Sequence, residues 1–292
     1  MKQTMSFTLF TDSSSNLTEE QFKANQIEVV SLTLSINDEE VLCYEPGVVF
    51  DSEGFFRRMR EDSALETKTS MINTAVFLAA FEPHLLGGRD ILYLAMSGGI
   101  SGTCAAGQKA AEILKKKFPA RTIRVIDTLT AAIGEGMIVL EAAAMRKAGA
   151  SLAEVAARAE QRVAEMHSYF MVDDLNFLKR GGRISGSAAL AGSIMHLKPI
   201  LKGDEEGKIV LDLKIFGRKK ALNTLAEIFR QRHVDREDTR EIGIVHTGAE
   251  EDAHLLAADI IERNPNVTAT VTYFESCTAS HVGPGAVGLF FY

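Results

Sequence analysis

The sequence contains no tryptophan and only three cysteines, Cys43, Cys104 and Cys277, which lie far apart in the chain. An odd number of scattered cysteines, without a Cys-x-x-Cys pair, is not the pattern of a disulfide scaffold or of a zinc site. The chain also lacks a run of 18 uncharged apolar residues, so we expect no segment that spans a bilayer. Its first residues contain no apolar stretch before a small-residue cleavage site, so we expect no signal peptide. Together these absences favour a cytoplasmic protein with free thiols.

The chain also has no excess of positive charge. The chain has 32 Lys and Arg against 39 Asp and Glu, a net charge of -7, and only 7% aromatic residues. Nucleic acids and anionic membranes both attract proteins through clustered basic side chains. The composition therefore argues against broad, charge-driven binding to either, and we expect no nucleic-acid partner.

The 292 residues, 46% of them hydrophobic, are enough for about two globular domains. Strand-like and helix-like patterns alternate along the chain, which favours an α/β fold with parallel sheets and helical crossovers. The alternation restarts after residue 166. We therefore predict two α/β domains, residues 1–165 and 166–292.

Several local patterns give sharper predictions. Residues 18–21 and 151–154 each match a capping box that opens a helix. Residues 27–36 read as a single strand, followed by a hairpin turn at residues 37–38. Residues 62–73 are polar and read as a loop, whereas residues 187–197 are apolar and read as a helix.

Polar side chains collect where predicted strands end, which is where open parallel sheets bind ligands. Asp12 and Ser13 follow the first strand, residues 97–103 follow a buried strand, and Asp127 and Thr128 follow the next. Residues 97–103 combine three glycines with hydroxyl groups at the start of a helix, where free N–H groups favour an anion. A simple helix cap without a ligand fits the same residues equally well.

The familiar catalytic and nucleotide motifs are absent. Residues 98–102 match neither Gly-x-Gly-x-x-Gly nor the P-loop, and Thr103 replaces the last glycine of a Gly-x-Ser-x-Gly elbow. No His and Asp or Glu stand at metal-ligand spacing such as His-Glu-x-x-His. We therefore expect no cofactor and no metal. Two polar features remain unassigned: residues 68–70 before a helix, where a hydroxyl is usually an N-cap, and His281 beside two glycines and a proline.

Six short motifs occur in an order that resembles the DegV family, and the resemblance covers residues 7–292. They are Asp12-Ser13-Ser14, Lys68-Thr69-Ser70, Ser97-Gly98-Gly99-Ile100-Ser101-Gly102-Thr103, Gly181-Gly182-Arg183-Ile184, Gly217-Arg218-Lys219-Lys220-Ala221 and His281-Val282-Gly283-Pro284-Gly285. The resemblance implies two α/β domains (DegV/EDD-like) with one long-chain fatty acid buried at their junction. The chain is similar to FakB, the subunit that presents the lipid carboxylate to a separate ATP-dependent fatty acid kinase subunit. It would be a lipid-binding carrier rather than an enzyme, and would contact a membrane only transiently, for lipid exchange.

The resemblance also implies roles for individual residues. Thr69, Ser101 and His281 would hold the carboxylate, and Ser70 and Gly283, from the same motifs, would also belong to the fatty-acid-binding site. Arg183 would lie near the kinase or the acyl phosphate. The tail would contact apolar side chains in residues 187–197, namely Ala188, Leu190, Ile194, Met195 and Leu197.

Two departures from the family pattern bear on these roles. The family usually has Thr-Ser-Gln-Pro-Ser where this chain has Thr69-Ser70-Met71-Ile72-Asn73, which would alter the pocket wall near the head group. Phe216 stands where the family often has an arginine that would help to engage the kinase.

Two rival functions stay open at this stage. The first is a serine acyl-hydrolase that uses Ser101, His281 and Asp127, because triads are defined by geometry rather than by residue order. The second is a regulatory or structural protein that binds no lipid. The sequence does not specify the length or saturation of a fatty acid, the oligomeric state or the kinase.

Overall fold

The computed structural model describes residues 7–62, 64–184 and 196–292. In these ranges the strands are β1 Phe7–Asp12, β2 Ile27–Val30, β3 Thr33–Ile36, β4 Glu39–Leu42, β5 Thr67–Ser70, β6 Asp90–Ala95, β7 Ile123–Asp127, β8 His167–Met171, β9 Leu197–Gly203, β10 Ile209–Phe216, β11 Glu241–His246, β12 Thr268–Tyr273 and β13 Val287–Phe291. The α-helices are α1 Glu19–Asn25, α2 Ser52–Glu61, α3 Thr74–Leu86, α4 Thr103–Lys117, α5 Ala132–Lys147, α6 Leu152–Glu165, α7 Asn176–Arg180, α8 Arg218–Arg232, α9 Glu250–Arg263 and α10 Ser276–Val282. None of these helices has the length and hydropathy needed to cross a membrane.

A parallel sheet with strand order β2-β1-β6-β7 forms the centre of the N-terminal half. Side chains of β6 alternate between its two faces: Ile91 and Tyr93 pack with the α3 and α4 side, whereas Leu92 and Leu94 pack with the α5 and α6 side. Both faces are therefore covered by helices, as parallel sheets require. The predicted α/β class is confirmed.

A small antiparallel sheet, β4-β3-β5, projects from this half. Asn37 and Asp38 both have positive φ, so the predicted two-residue hairpin turn is confirmed. Two other predictions are wrong. Residues 27–36 form two strands in different sheets, because the chain breaks at Ser31, whose hydroxyl bonds the Leu32 carbonyl. Residues 62–73 are not all loop, because Thr67–Ser70, although polar, form the edge strand β5.

The C-terminal half contains a six-stranded sheet with order β10-β9-β8-β13-β11-β12. Only β11 and β12 pair in parallel, so the expectation of parallel sheets is wrong for this half. The physical reason is local: β9 and β10 are joined by the short turn at residues 204–207, which permits only antiparallel pairing. Both predicted capping boxes, at Thr18 and Ser151, are present.

Hydrophobic cores link the two halves. The largest cluster contains Leu9 and Ile138 from the N-terminal half together with Phe170 and Phe290 from the C-terminal half. A second cluster, around Phe229, lies within the six-stranded sheet and its helices. The placement of a domain boundary between residues 165 and 166 stays a prediction.

The predicted apolar helix at residues 187–197 falls mostly on residues outside the described ranges. Ala188, Leu190, Ile194 and Met195 are among these residues. Leu197 is described, and it is the buried first residue of β9 rather than the end of a helix.

Candidate functional site

Three separate elements bring predicted site residues to one place. Thr69 lies in β5, Ser101 lies in the loop between β6 and α4, and His281 lies in the last turn of α10. The Thr69 hydroxyl and the His281 Nε2 atom are hydrogen-bonded at 2.8 Å, across 212 positions of sequence. The sequence patterns did not predict α10. This helix has only seven residues, and the glycines and proline that follow it indicated only a turn.

The imidazole of His281 is held neutral and tightly packed. Burial, with a smaller contribution from the Arg183 guanidinium, lowers the pKa of His281 to about 4. Gly181 lies directly against the ring, since a Cβ atom there would approach His281 Nδ1 to 2.3 Å. Any larger residue at position 181 would displace the imidazole. This close approach explains the first glycine of the Gly-Gly-Arg motif.

Ser101 is positioned by the start of α4. Its hydroxyl donates to Thr103 Oγ1 at 2.9 Å and accepts from the Thr103 backbone N–H at 3.2 Å. Thr103 Oγ1 in turn accepts from the backbone N–H of Ile72, at 3.3 Å. This chain of bonds ties the loop that carries Ser101 to the segment that follows Thr69.

The carboxylates at the ends of the parallel strands have structural partners. Asp12 is fully buried and accepts hydrogen bonds from the Tyr93 hydroxyl and the Met96 backbone N–H, while burial raises the pKa of Asp12. Asp127 accepts from the backbone N–H groups of Gly98 and Leu129, each at 2.9 Å. Both aspartates therefore shape the loop at residues 97–103.

An inner cavity is bounded by predicted site residues and by apolar side chains. Its polar wall contains Thr69, Ser70, Ser101, Arg183 and His281. Its other lining residues are mostly apolar and include Leu32, Met71, Met96, Ile100, Leu178, Ile209, Cys277 and Val282. The cavity thus combines hydrogen-bonding and hydrocarbon groups around a volume of about 40 Å³, so a long acyl tail would require it to widen.

An outer cleft of about 970 Å³ adjoins the same polar wall. The cleft and the inner cavity share Thr69, Arg183 and His281. The remaining cleft residues include several charged side chains, among them Asp62, Glu66, Lys68, Asp174 and Arg180. One short wall therefore separates a charged, open cleft from an apolar interior.

Arg183 bridges the two halves of the molecule at this wall. Its Nε atom donates to the carbonyl of Ile100 at 3.2 Å, and its guanidinium also bonds the Gly181 carbonyl. The side chain is half-buried and follows a turn at Gly181 and Gly182. This turn comes directly after the short helix α7.

Gly283 and Ser70, the other two residues that the resemblance assigns to the site, lie in surroundings unlike those of Thr69, Ser101 and His281. Gly283 has a φ of +77° and ends α10, and a Cβ atom there would approach the Phe177 ring to 2.5 Å. Its carbonyl accepts from the Thr247 hydroxyl at 2.6 Å, so Gly283 shapes the end of the helix that carries His281. Ser70 lines the inner cavity from the exposed end of β5.

Of the departures from the family pattern, only Met71 lines a described cavity of the site. Met71 is 50% exposed and lines the inner cavity, and its sulfur packs against Gly102. Ile72 is buried, and Asn73 caps α3 by accepting from the Val76 backbone N–H. Phe216 is 58% exposed at the end of β10, where an arginine side chain would also point to solvent.

The hydrogen-bond pattern does not form the triad of an acyl-hydrolase. The hydroxyl of Ser101 bonds Thr103, whereas the His281 Nε2 atom bonds Thr69. Asp127 accepts from the backbone N–H groups of Gly98 and Leu129 rather than from an imidazole. The hydrolase hypothesis therefore gains no support from this geometry.

Comparisons with known proteins give consistent results over the whole chain. A family model described as an uncharacterised protein of the DegV family matches residues 6–292. A DegV domain-containing protein of Clostridium perfringens is 35% identical over 289 residues, which cover 98% of this chain and 97% of the relative. Among solved structures, a DegV family protein from Thermus thermophilus, described as binding fatty acid, has 30% identity and a TM-score of 0.86, with 99% of both chains covered. A fatty acid binding DegV family protein from Streptococcus agalactiae has 26% identity, the same TM-score and the same coverage.

Proposed function

Since this chain belongs to the DegV family, we propose that it is a carrier that binds one long-chain fatty acid, with the carboxylate at Thr69, Ser101 and His281. The observation that carries the proposal is the hydrogen-bonded pair of Thr69 and His281 at the wall of a cavity with a mostly apolar lining. Neighbouring structures at 30% and 26% identity, described as fatty acid binding, support the same ligand class.

The physical chemistry of a fatty acid suits this arrangement. Burying hydrocarbon contributes about 0.8 kcal/mol per CH2, so a sixteen-carbon tail gains on the order of 12 kcal/mol before the costs of binding. The carboxylate then needs only to keep its hydrogen bonds, each of which contributes about 1.5–3 kcal/mol when one partner is charged. The tail therefore supplies most of the affinity, and the polar wall fixes the orientation.

Hydroxyls and a neutral imidazole can satisfy a carboxylate without a full counter-charge. The lowered pKa of His281 leaves its ring uncharged at neutral pH, with one N–H to donate. Thr69 and Ser101 each add a hydroxyl that can turn from its present partner toward an incoming anion. When a carboxylate binds, the hydrogen bonds that these hydroxyls now make to neutral groups would be replaced by stronger, charge-assisted hydrogen bonds to the carboxylate.

The carrier would present the carboxylate to a separate ATP-dependent kinase in the cytoplasm. The wall that holds Thr69 and His281 also borders the outer cleft, so a head group there lies close to solvent. Arg183 lies in the same wall, and its guanidinium suits the charge of a transferred phosphate. Contact with a membrane would be limited to the exchange of lipid.

Native mass spectrometry of the protein purified from bacteria tests the ligand class. We expect a bound mass that matches a long-chain fatty acid and that is lost on denaturation. A protein that carries no lipid and does not displace a fluorescent fatty acid would refute the proposal. Acyl phosphate formed by the purified chain with ATP and Mg2+ alone would refute the carrier role, because that role requires a separate kinase.

A further inference from the structure

Two cysteines meet beside the candidate site. Cys43 follows β4, and Cys277 lies in the first turn of α10, 234 positions later. Their sulfur atoms, together with a carboxylate oxygen of Glu275, all lie within 4.8 Å of one another. Cys277 is 6% exposed and lines the inner cavity, whereas Cys43 is only half-buried. One thiol is thus open to small reagents, and the other lies within reach of it.

A metal is the weaker explanation for this cluster. The oxygens of Glu275 already accept from the backbone N–H of Cys277, at 2.7 Å, and from the N–H and hydroxyl groups of Thr278. These bonds fix the Glu275 carboxyl as the N-cap of α10, so a cation would have to break the cap. The two thiols remain as a pair with chemistry of their own.

We propose that Cys43 and Cys277 form a redox-sensitive dithiol, which a hydroperoxide oxidises to a disulfide and a thiol reductant restores. In the first step, the half-buried Cys43 sulfur attacks the peroxide O–O bond, becomes a sulfenic acid and releases one water. In the second, the Cys277 sulfur displaces hydroxide from Cys43, and the Cys277 proton leaves with it as a second water. Two thiols and one hydrogen peroxide therefore give one disulfide and two waters.

The cross-link would join the parts of the molecule that hold the head-group residues. Cys43 is anchored to the β3 side by its backbone N–H, which donates to the Leu32 carbonyl at 3.0 Å. Cys277 shares α10 with His281 and lines the inner cavity together with Thr69. The hydrogen bond to Cys43 and burial raise the pKa of the Cys277 thiol. Cys277 is therefore suited to be the resolving thiol rather than the first nucleophile.

A bound ligand should slow this oxidation, an expectation that rests on the proposed function. Thr69 bonds His281 Nε2 and lines the inner cavity with Cys277. A carboxylate that recruits the Thr69 hydroxyl would take away the hydrogen bond by which Thr69 lowers the pKa of the Cys277 thiol. We expect disulfide formation to slow about fivefold or more, the factor that corresponds to one hydrogen bond.

The experiment uses lipid-free full-length protein treated with hydrogen peroxide, followed by alkylation and peptide mass spectrometry without reductant. We expect a peptide linked through Cys43 and Cys277 that disappears with dithiothreitol. Cys43→Ser should abolish the link, while the matched control Cys104→Ser should retain it. A second arm adds oleate before peroxide.

The outcomes separate the dithiol from the ligand. Independent alkylation of Cys43 and Cys277 after oxidation, or over-oxidation of each without a link, would overturn the dithiol. If native mass spectrometry shows that oleate binds but oleate does not change the rate of disulfide formation, only the coupling is overturned. If no oleate binds, the proposed function fails, while the dithiol is still decided by the first arm.

Discussion

The two halves of the molecule meet at two junctions of opposite character. On one side, the α6 residue Arg162 is 2% exposed and is surrounded by acidic groups from α5, α6 and the turn before β11. These groups are Glu141, Glu165 and Asp238, all within 3.2 Å of the guanidinium nitrogens. The aromatic ring of Tyr292 lies 4.2 Å from the same guanidinium.

On the ligand side, the junction consists mainly of single hydrogen bonds. Thr69 bonds His281, and the Ser97 hydroxyl donates to the Gly207 carbonyl at 2.8 Å. Arg183 adds a bond to the Ile100 carbonyl. Each neutral bond contributes only about 1 kcal/mol, and a ligand that offers an equivalent partner can replace it. We call the first the charged junction and the second, where the bonds other than that of Arg183 join neutral groups, the neutral junction. We predict that the charged junction contributes more to stability and that a ligand alters the neutral one.

The largest effect on stability is expected when the Arg162 guanidinium is removed from the charged junction. We expect Arg162→Met to lower the free energy of unfolding by about 2–3 kcal/mol, because it removes the one buried cation of the network, while the partly exposed carboxylates keep Arg158 and Arg236 as partners. Urea denaturation measures the change. Fatty-acid affinity of the folded fraction should stay near the wild-type value, since this junction does not line the cavity.

Arg236→Met is the matched control. Arg236 pairs with Glu165 and Asp238 in the same network, but its side chain is 42% exposed. Exposed pairs contribute about 0–1 kcal/mol, so the control should lose far less stability. Equal losses in both variants would contradict the view that the buried guanidinium organises this junction.

At the neutral junction, His281 should make stability depend on pH. Its pKa is about 4 in the folded chain and near 6.5 when unfolded, so between these values the unfolded chain binds more protons. The contribution of His281 to the free energy of unfolding is therefore largest above pH 6.5 and decreases as the pH falls toward 4. We expect a loss of about 2 kcal/mol over that range, with partial exposure of the ring taken into account.

The contribution of His281 is isolated by comparison with His281→Gln. Other groups titrate with opposite sign: burial raises the pKa of Glu275 to about 7, so Glu275 favours the folded state at low pH. Urea unfolding of both proteins at several pH values gives the difference. A difference that does not change between pH 6.5 and 4 would show that His281 keeps its ordinary pKa in the folded protein.

The sequence predicted those parts of the fold that depend on local chemistry. The caps at Thr18 and Ser151 and the turn at Asn37 and Asp38 follow from short patterns with a direct physical cause. Strand pairing depends on partners distant in sequence. For this reason β5, which is polar and becomes a strand only by pairing with β3, was predicted as a loop.

The candidate site shows the same limit. The motifs indicated Thr69, Ser101 and His281, but only the fold shows that Thr69 contacts His281 and that Gly181 packs on the imidazole. Cys277 appeared as an isolated thiol, and no spacing rule joins it to a cysteine 234 positions away. The contacts that span the two halves are therefore the part that sequence reasoning misses.

Removing the hydroxyl of Thr69 tests the role of the neutral junction in binding. We expect Thr69→Val, which keeps the shape of the side chain, to weaken fatty-acid binding by about 1–3 kcal/mol. Ser101→Ala should have an effect of similar size. Displacement of a fluorescent fatty acid measures both affinities.

Ser70→Ala controls for changes at the exposed end of β5, since Ser70 lines the cavity without a place in the proposed carboxylate set. It should change the affinity by less than about 0.5 kcal/mol. Wild-type affinity in both Thr69→Val and Ser101→Ala would remove these hydroxyls from the head-group site.

The smallest expected effect concerns Arg183, the one charged residue that links the two halves through the polar wall. Because the proposed site already gives the carboxylate three partners in Thr69, Ser101 and His281, Arg183→Ala should leave fatty-acid affinity within about 1 kcal/mol of wild type. It should nevertheless lower acyl phosphate formation with the cognate kinase about tenfold, which requires a loss of only about 1.4 kcal/mol. Arg180→Ala is the matched control, because Arg180 lies in the same cleft but stacks on the Phe177 ring. Full kinase-dependent activity in a folded Arg183→Ala protein would assign this arginine to the junction alone. A tenfold loss in Arg183→Ala with a near-normal rate in Arg180→Ala would instead place the guanidinium where phosphate is transferred, on the side of the wall that faces the cleft.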